Sequence, residues 1–293
     1  MRRYLITGGT GFIGREIVRQ LLKRDDTAHI VCLTRGLRDG HIPQNDRLSY
    51  WKGDIVSVDF PYEGHWVFTD LIHGANEVND LLQPDQMKYY YTIVEGTNRV
   101  LKWAATTGIE RTLLLSSGAV ARDTIYGRAK RQSEFLCNAY GWNAKIARIF
   151  SVIGPEMPLN GQYAAGRFVG QALAEKKVRY YGGESLRTYI DVVDCAKWLL
   201  AILDSYLPYV PIDVAGDEQI RMDDLARMVA HIFDVQVTKI DGPERVDHYL
   251  PDLTQSDMLG LKQEIKITQS LERIREHYKA ISTLRNPNVE PGT

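Results

Sequence analysis

Apolar residues follow two alternating patterns along the first half of the chain. Short continuous runs, such as 4–6, 29–33 and 112–120, are typical of buried strands in a parallel sheet. Between them, apolar residues recur every three or four positions, as in 13–22 and 85–107, which is typical of amphipathic helices. Strands that alternate with helices predict an α/β fold with a doubly wound parallel sheet.

The second half of the chain has a less regular pattern. We expect residues 1–155 to form the core domain, with later core elements near 188–215, and residues 156–293 to form mainly a small C-terminal lobe. The pattern predicts helices at 167–177, 191–203 and 222–233, strands at 178–181 and 211–215, and a final amphipathic helix around 271–281.

Three glycines follow the first predicted strand, at Gly8, Gly11 and Gly14. Gly8 would permit a tight turn, and Gly11 would let the backbone approach a pyrophosphate. Phe12 and Ile13 would then begin a helix whose unpaired N–H groups attract anions. Because a strand precedes the glycines and a helix follows them, the segment predicts a dinucleotide site rather than a plain glycine loop.

The end of the second predicted strand favours NADP over NAD as the dinucleotide. Thr34 stands where an acidic residue usually accepts the ribose hydroxyls of NAD. Arg35 and Arg38 follow, and guanidinium groups suit a ribose 2′-phosphate. The alternative is a pair of solvated surface arginines. After the third strand, Asp54 could meet the adenine amino group or could be an ordinary turn aspartate.

A second set of polar residues follows the fifth predicted strand. Ser117 ends this strand, Tyr126 comes nine residues later, and Lys130 lies one helical turn beyond the tyrosine. A lysine ammonium beside a tyrosine stabilises the phenolate, so the tyrosine can exchange a proton with a carbonyl or carbinol oxygen. A Tyr-x-x-x-Lys spacing is common on helices, but its place after this strand favours catalysis.

The composition of the chain limits the kinds of partner, metal site and cellular location that can be expected. The 36 lysines and arginines nearly balance 37 aspartates and glutamates, which gives a net charge of −1 and argues against a nucleic-acid or membrane-surface partner. The three cysteines are scattered in apolar contexts, so we expect them to be reduced core residues, with no metal site. His73 is isolated and is expected to be a satisfied strand-end residue. With no signal or membrane-spanning pattern, we expect a cytoplasmic protein.

The motifs together resemble the extended short-chain dehydrogenase/reductases, and more closely the NAD(P)-dependent sugar epimerase/dehydratase family. The matching segments are 7–14, 116–117, 126–130, 148–155 and 187–194, in the family's order. This resemblance implies a Rossmann-type core and a lobe that binds a nucleotide-sugar. It assigns catalysis to Ser117, Tyr126 and Lys130, cofactor contacts to Asp54, Ile55, Gly74 and Ala75, and substrate contacts to Ser117, Ser151, Arg187 and Arg245.

The chain departs from the family pattern at several positions. Ile93 replaces an asparagine in the long helix, Ala121 replaces a tyrosine, and Ser151 replaces another asparagine. The segment from Ser117 to Tyr126 is also shorter than is usual. We therefore expect the loop over the nicotinamide and the local sugar contacts to differ from those of typical members.

The residues after Ser117 limit the number of candidate reactions. Gly118 and Ala119 cannot supply the acid–base pair of a 4,6-dehydratase, and Gly118 also excludes the cysteine of the epimerase/reductases. We expect NADPH-dependent reduction of the C4 keto group of a nucleotide-activated 4-keto-6-deoxy sugar. A nucleotide-sugar 4-epimerase is an alternative, and a non-catalytic NADP-binding sensor or scaffold is another. The family resemblance also implies a homodimer that is formed by two helices of each subunit.

Overall fold

The structure is a computed structural model that describes residues 1–36, 45–60, 67–76, 85–140, 144–159, 163–207, 210–243 and 246–285. Its strands are β1 (Arg2–Thr7), β2 (Thr27–Thr34), β3 (Leu48–Lys52), β4 (Asp70–His73), β5 (Arg111–Ser117), β6 (Ala144–Ile149), β7 (Ser151–Ile153), β8 (Lys177–Tyr180), β9 (Leu186–Asp191), β10 (Ile212–Val214), β11 (Gln219–Arg221) and β12 (Gln236–Lys239). Its helices are α1 (Phe12–Leu22), α2 (Gln86–Thr106), α3 (Ile125–Tyr140), α4 (Ala164–Glu175), α5 (Val192–Asp204), α6 (Met222–Phe233), α7 (Thr254–Met258) and α8 (Ile267–Arg285).

The main sheet has seven parallel strands in the order β10-β6-β5-β4-β1-β2-β3. The strand order reverses between β1 and β4, and ligands of doubly wound sheets bind at the carboxyl ends of the strands beside such a reversal. Thr7 and His73 are paired residues at these carboxyl ends. The predicted doubly wound, Rossmann-type sheet is confirmed, and its geometry puts the candidate site beside β1 and β4.

The chain divides into two compact units. The first comprises the described residues of Met1–Phe150, Cys195–Val214 and Pro251–Lys262, and it contains the whole main sheet. The second comprises the described residues of Ser151–Asp194, Ala215–Leu250 and Gln263–Thr293. It holds a three-stranded sheet in the order β11-β9-β7, the parallel pair β8 and β12, and α6 packed between α4 and α8.

A charged network lies at the amino end of the main sheet. Asp70 is fully buried and accepts hydrogen bonds from Arg2 Nε at 3.0 Å, Arg111 Nε at 2.7 Å and Thr69 Oγ1 at 2.6 Å. Burial alone would raise the pKa of Asp70, but these hydrogen bonds outweigh it and lower the pKa below its ordinary value. The carboxylate therefore joins the first residues of three neighbouring strands.

One predicted strand ends earlier than expected. The sequence pattern extended the fifth strand to Val120, but β5 ends at Ser117 and residues Gly118–Ala121 form a 3₁₀ helix. The Ser117 side chain accepts the N–H of Ala119 at 3.2 Å, which favours the turn over continued strand. The hydroxyl of Ser117 therefore sits where the chain turns away from the sheet.

The three cysteines Cys32, Cys137 and Cys195 are buried and free, as predicted. Burial raises the pKa of Cys32 to about 12, so its thiol stays protonated near neutral pH. No helix in the described part of the chain has both the length and the hydropathy needed to cross a bilayer.

Candidate active site

The glycine loop joins β1 to α1 with little free space. Gly8 has a φ of +78°, and a Cβ on it would lie 2.8 Å from the backbone of Gly74 and Ala75. Gly11 N–H donates to the Gly8 carbonyl at 3.0 Å. A Cβ on Gly14 would overlap that carbonyl and lie 2.7 Å from Gly9 Cα. A side chain is thus excluded at Gly8 and Gly14.

The amino end of α1 suits a phosphate group. Gly11 is the N-cap, and within the described residues no side chain caps the helix. Phe12 and Ile13 begin the helix, and the first intrahelical N–H bond is that of Arg15 to the Gly11 carbonyl, at 2.9 Å. Backbone N–H groups and the helix dipole at such an end attract anions. The residues present therefore fit the pyrophosphate of a dinucleotide.

Gly74 and Ala75 lie directly against this loop. The N–H of Gly74 donates to the Thr7 carbonyl at 3.0 Å, and the N–H of Ala75 donates to Thr7 Oγ1 at 3.1 Å. A Cβ on Gly74 would lie 2.7 Å from Leu115 Cδ1. The structure thus brings the predicted cofactor-lining segment together with Gly8 at the reversal point of the sheet.

The residues predicted to select NADP lie at the end of β2. Thr34 Oγ1 lies 3.2 Å from Thr10 Oγ1 and 2.9 Å from the Gly36 carbonyl, so Thr34 is tied to both the glycine loop and the turn after β2. Arg35 is exposed beside it. Arg38 lies outside the described residues. The preference for NADP stays a prediction that rests on Arg35.

Asp54 and Ile55 follow β3 in a turn. Asp54 Oδ1 accepts the N–H of Val56 at 3.1 Å, which is the contact of an ordinary turn aspartate. Ile55 is buried, and Gly96 on α2 leaves room for it, because a Cβ there would lie 2.7 Å from Ile55 Cγ1. The predicted adenine contact stays a prediction.

The three predicted catalytic residues come from β5 and α3. Ser117 lies at the carboxyl end of β5, and Tyr126 is partly exposed in the first turn of α3. Lys130 is only 3% exposed, donates to the Leu115 carbonyl at 3.0 Å, and places Nζ 5.7 Å from the centre of the Tyr126 ring. The cation therefore lies where its charge stabilises a tyrosine phenolate.

Burial and a nearby carboxylate shift the pKa of Lys130 in opposite directions. Burial lowers the pKa of Lys130 to about 8, although the negative charge of Glu134 raises it. Glu134 accepts Ser116 Oγ at 2.6 Å, Arg148 Nε at 3.0 Å and Arg148 Nη2 at 2.7 Å. Glu134 and Arg148 were not assigned by the sequence, although Glu134 follows Lys130 by one helical turn.

His73 is a buried, neutral residue at the end of β4. Its Nδ1 lies 2.6 Å from Thr7 Oγ1, and its Nε2 lies 3.0 Å from Thr97 Oγ1 on α2. Burial and the positive charge of Lys130 lower the pKa of His73 to about 3. The prediction of a satisfied strand-end histidine is confirmed.

Two of the positions that the sequence singled out, Ile93 and Gly118, make apolar contacts. Ile93 is buried between Tyr89 on α2 and Ala129 on α3. Gly118 lies against the Phe150 ring, where a Cβ would come within 2.6 Å of Cε1. No acid or base can therefore replace Gly118 without moving this ring.

Two of the predicted substrate residues, Ser151 and Arg187, lie on the three-stranded sheet of the second unit. Ser151, in β7, pairs with Tyr189 of β9. Arg187, also in β9, donates through Nη2 to Asp247 Oδ2 at 3.1 Å and through Nη1 to the Leu186 carbonyl at 2.9 Å. Arg245 lies outside the described residues. The guanidinium of Arg187 thus already binds one carboxylate, and its predicted contact with a diphosphate stays a prediction.

Among the described residues, no group of three histidine, cysteine, aspartate or glutamate side chains could hold a metal ion.

Solved structures share this fold at low sequence identity. The dTDP-glucose 4,6-dehydratase DesIV from Streptomyces venezuelae, with NAD and TYD bound, has a TM-score of 0.84 and 21% identity, over 97% of this chain and 99% of that chain. The UDP-N-acetylglucosamine 4-epimerase from Methanobrevibacter ruminantium M1 has a TM-score of 0.83 and 21% identity, over 96% of this chain and 99% of that chain.

Among curated proteins, the UDP-glucuronic acid decarboxylase 1 of Arabidopsis thaliana is 26% identical over 315 aligned positions, which cover 94% of this chain and 70% of that protein. The resemblance to extended sugar epimerases and dehydratases is confirmed. The model of the NAD dependent epimerase/dehydratase family matches residues 4–208, well over half of the sequence, and the chain therefore belongs to that family.

Proposed function

We propose that the protein reduces the C4 keto group of a nucleotide-activated 4-keto-6-deoxy sugar with NADPH. The observation that carries this proposal is the buried Lys130 beside the partly exposed Tyr126, with Ser117 at the end of the adjoining strand. Such a set handles one proton at one oxygen, which is the requirement for reducing a ketone.

The residues of the first unit have distinct roles in this proposal. Ser117 donates a hydrogen bond to the ketone oxygen, and Tyr126 gives that oxygen its phenolic proton as the carbon becomes a carbinol. The Lys130 ammonium stabilises the resulting phenolate. The bound dinucleotide supplies the hydride that the carbon gains. The loop from Gly8 to Gly14 holds its pyrophosphate, and Arg35 holds the 2′-phosphate.

The residue after Ser117 supports simple hydride chemistry. A 4,6-dehydratase must also move protons at carbon, and it needs a side-chain acid or base near the reacting sugar. Here Gly118 is packed against Phe150, and the next residue is Ala119. These apolar neighbours favour a reaction that is limited to C4.

The comparisons favour a second candidate, whose first step is the reverse of ketone reduction. One structural neighbour is a UDP-N-acetylglucosamine 4-epimerase, and the curated relatives are UDP-glucuronic acid decarboxylases. In an epimerase the C4 hydroxyl is oxidised and then reduced from the other face. For a glucuronate, the C4 ketone is a β-keto acid, which loses CO₂ readily. Both reactions begin with proton transfer to Tyr126 and hydride transfer from C4.

The assay incubates the protein with a dTDP-4-keto-6-deoxyhexose and NADPH, and separately with UDP-sugars and NAD. Steady loss of nicotinamide absorbance, with a new deoxy sugar, supports the reductase. Interconversion of C4 epimers, or release of CO₂ from UDP-glucuronate, would instead assign the second candidate. Tight NADPH binding without any turnover would identify a sensor or scaffold and overturn catalysis.

Two tyrosine variants on one helix test the assigned roles. Tyr126→Phe should lower kcat by about 10²–10⁴-fold, which is the usual contribution of general acid catalysis, and leave NADPH binding nearly unchanged. Tyr140→Phe, at the other end of α3, is the matched control and should retain kcat. Near-normal turnover by Tyr126→Phe would mean that the proton comes from another group.

A further inference from the structure

Lys130 and Glu134 lie four residues apart on α3, on the same face of the helix. Both residues are buried, with 3% and 7% of their surface exposed. The ammonium of Lys130 donates to the Leu115 carbonyl, and the next residue of β5, Ser116, donates to the carboxylate of Glu134. Opposite charges thus occupy neighbouring positions over the same strand, and both are largely removed from the solvent that would screen them.

Arg148 determines where the Glu134 carboxylate lies. Arg148 pairs with Ser116 across β5 and β6, and its guanidinium forms a bidentate contact with both carboxylate oxygens. Three donors, Ser116 Oγ, Arg148 Nε and Arg148 Nη2, therefore hold the Glu134 carboxylate in place. The Arg148 side chain is 33% exposed, so solvent screens its charge more than that of Glu134. The electrostatic potential that Glu134 and Arg148 together produce at the Lys130 ammonium is consequently negative.

We propose that Glu134 is a positioning residue of the candidate site, whose carboxylate keeps Lys130 protonated beside Tyr126. Burial disfavours the ammonium, and its hydrogen-bonded partner, the Leu115 carbonyl, carries no net charge. Glu134 offsets part of this cost from one turn away. The inference rests on the proposed function for its effect on turnover, but the protonation of Lys130 can be measured without any substrate.

Among the described residues, the other groups around Lys130 do not replace this carboxylate. His73 is neutral, since its pKa is about 3, and burial raises the pKa of Cys137 to about 12. Asp213, on the edge strand β10, lies opposite Arg148 of β6 in the strand register. Its charge therefore acts mainly on that arginine. The titratable and charged groups that face Lys130 or its partners are Tyr126, Glu134 and Cys137 on α3, Tyr89 on α2, His73 on β4, Arg148 on β6 and Asp213 on β10.

The test follows the Lys130 side chain by NMR in protein labelled with ¹³C and ¹⁵N at lysine, with Lys130→Arg used to assign its signal. Glu134→Gln keeps the shape of the side chain and removes its charge. The titration midpoint of Lys130 should then fall by about one pH unit or more. An unchanged midpoint in a folded Glu134→Gln protein overturns the proposal.

Two further variants separate an electrostatic role from a structural one. Arg148→Gln keeps the carboxylate but removes its cationic partner, so the midpoint of Lys130 should rise, opposite in sign to Glu134→Gln. Ser116→Ala removes one hydrogen bond and no charge, so the midpoint should move little. If Glu134→Gln does not fold, the sign of the Arg148→Gln shift decides, and a fall or no change there overturns the proposal.

Turnover provides the link to the proposed function. The reduction needs a protonated Lys130, so the high-pH limb of kcat/KM should move to lower pH in Glu134→Gln and to higher pH in Arg148→Gln. If no substrate is turned over by the wild type, the proposed function fails while the NMR titration still decides the role of Glu134. If turnover occurs and the limbs do not follow the Lys130 midpoints, Glu134 does not act through Lys130.

Discussion

Two glycines of the dinucleotide loop should respond differently to the same added methyl group. At Gly11 the backbone has a φ of −77°, which any residue adopts, and a Cβ would touch the Gly8 carbonyl at 3.2 Å. At Gly14 a Cβ would overlap that carbonyl and lie 2.7 Å from Gly9 Cα. Gly36 is the control, because a Cβ there would have no atom of the described residues within 4 Å.

These contacts give the expected magnitudes. Overpacking costs about 1–3 kcal/mol, and Gly14→Ala should fall at the upper end because backbone cannot move aside as a side chain can. Alanine recovers about 1 kcal/mol of helix propensity in α1, so the net loss of unfolding free energy should be about 2 kcal/mol. Gly11→Ala should change stability by less than about 1 kcal/mol. Its methyl group would crowd the approach to α1, so dinucleotide affinity should fall at least about tenfold.

Urea unfolding and calorimetric titration with NADPH and with NAD measure the two effects. Gly36→Ala should resemble the wild type in unfolding free energy and in binding. Two outcomes would contradict these expectations: Gly11→Ala binding the dinucleotide as tightly as wild type, or Gly11→Ala losing as much unfolding free energy as Gly14→Ala. The first result would mean that the pyrophosphate does not approach the backbone at Gly11, and the second that the Gly8 carbonyl does not make room for a methyl group there.

Further predictions concern the cofactor, the fold and assembly. Arg35→Ala should weaken NADPH more than NADH, by roughly 1.5–3 kcal/mol, and equal binding of both by the wild type would exclude a 2′-phosphate contact. Asp70→Asn should lower the unfolding free energy near neutral pH by about 3 kcal/mol, because two arginines lose their buried carboxylate. The pKa of Asp70 is lowered by folding, so this contribution is complete above the unfolded pKa of about 4 and is lost as the pH falls through the folded value; a difference from wild type that persists in strong acid would contradict this origin. Tyr91 and Phe135 are exposed on α2 and α3, and Tyr91→Glu with Phe135→Glu should convert the predicted homodimer to a monomer in sedimentation; a wild-type monomer would refute the assembly.

The strongest sequence patterns predicted the main sheet well. The strand before Gly8 and the helix with Asp85 as N-cap both have clear periodicity, and they appear as β1 and α2. The sequence pattern does not distinguish the 3₁₀ turn after Ser117 from a strand, because Gly-Ala-Val-Ala is apolar in either conformation. The hydrogen bond that decides between them joins a side chain to the backbone two residues later, which periodicity does not detect.

The short strands and the polar contacts of the site were beyond sequence reasoning. The strands β7 and β11 have three residues each, too few for any alternation to be distinguished. The spacing of Lys130 and Glu134 was visible, but the donors that fix the carboxylate are 18 and 14 residues away from it, at Ser116 and Arg148. Only the strand register brings these two donors together.

The buried carboxylate network and the proposed chemistry occupy opposite ends of the same strands. Asp70 and its arginines join the first residues of β1, β4 and β5, whereas Thr7, His73 and Ser117 are the last residues of these strands. Loops at the carboxyl end can therefore be rebuilt with little loss of the anchoring at the other end. This division makes the scaffold tolerant of new substrate specificities, whether they arise by natural divergence or by directed evolution.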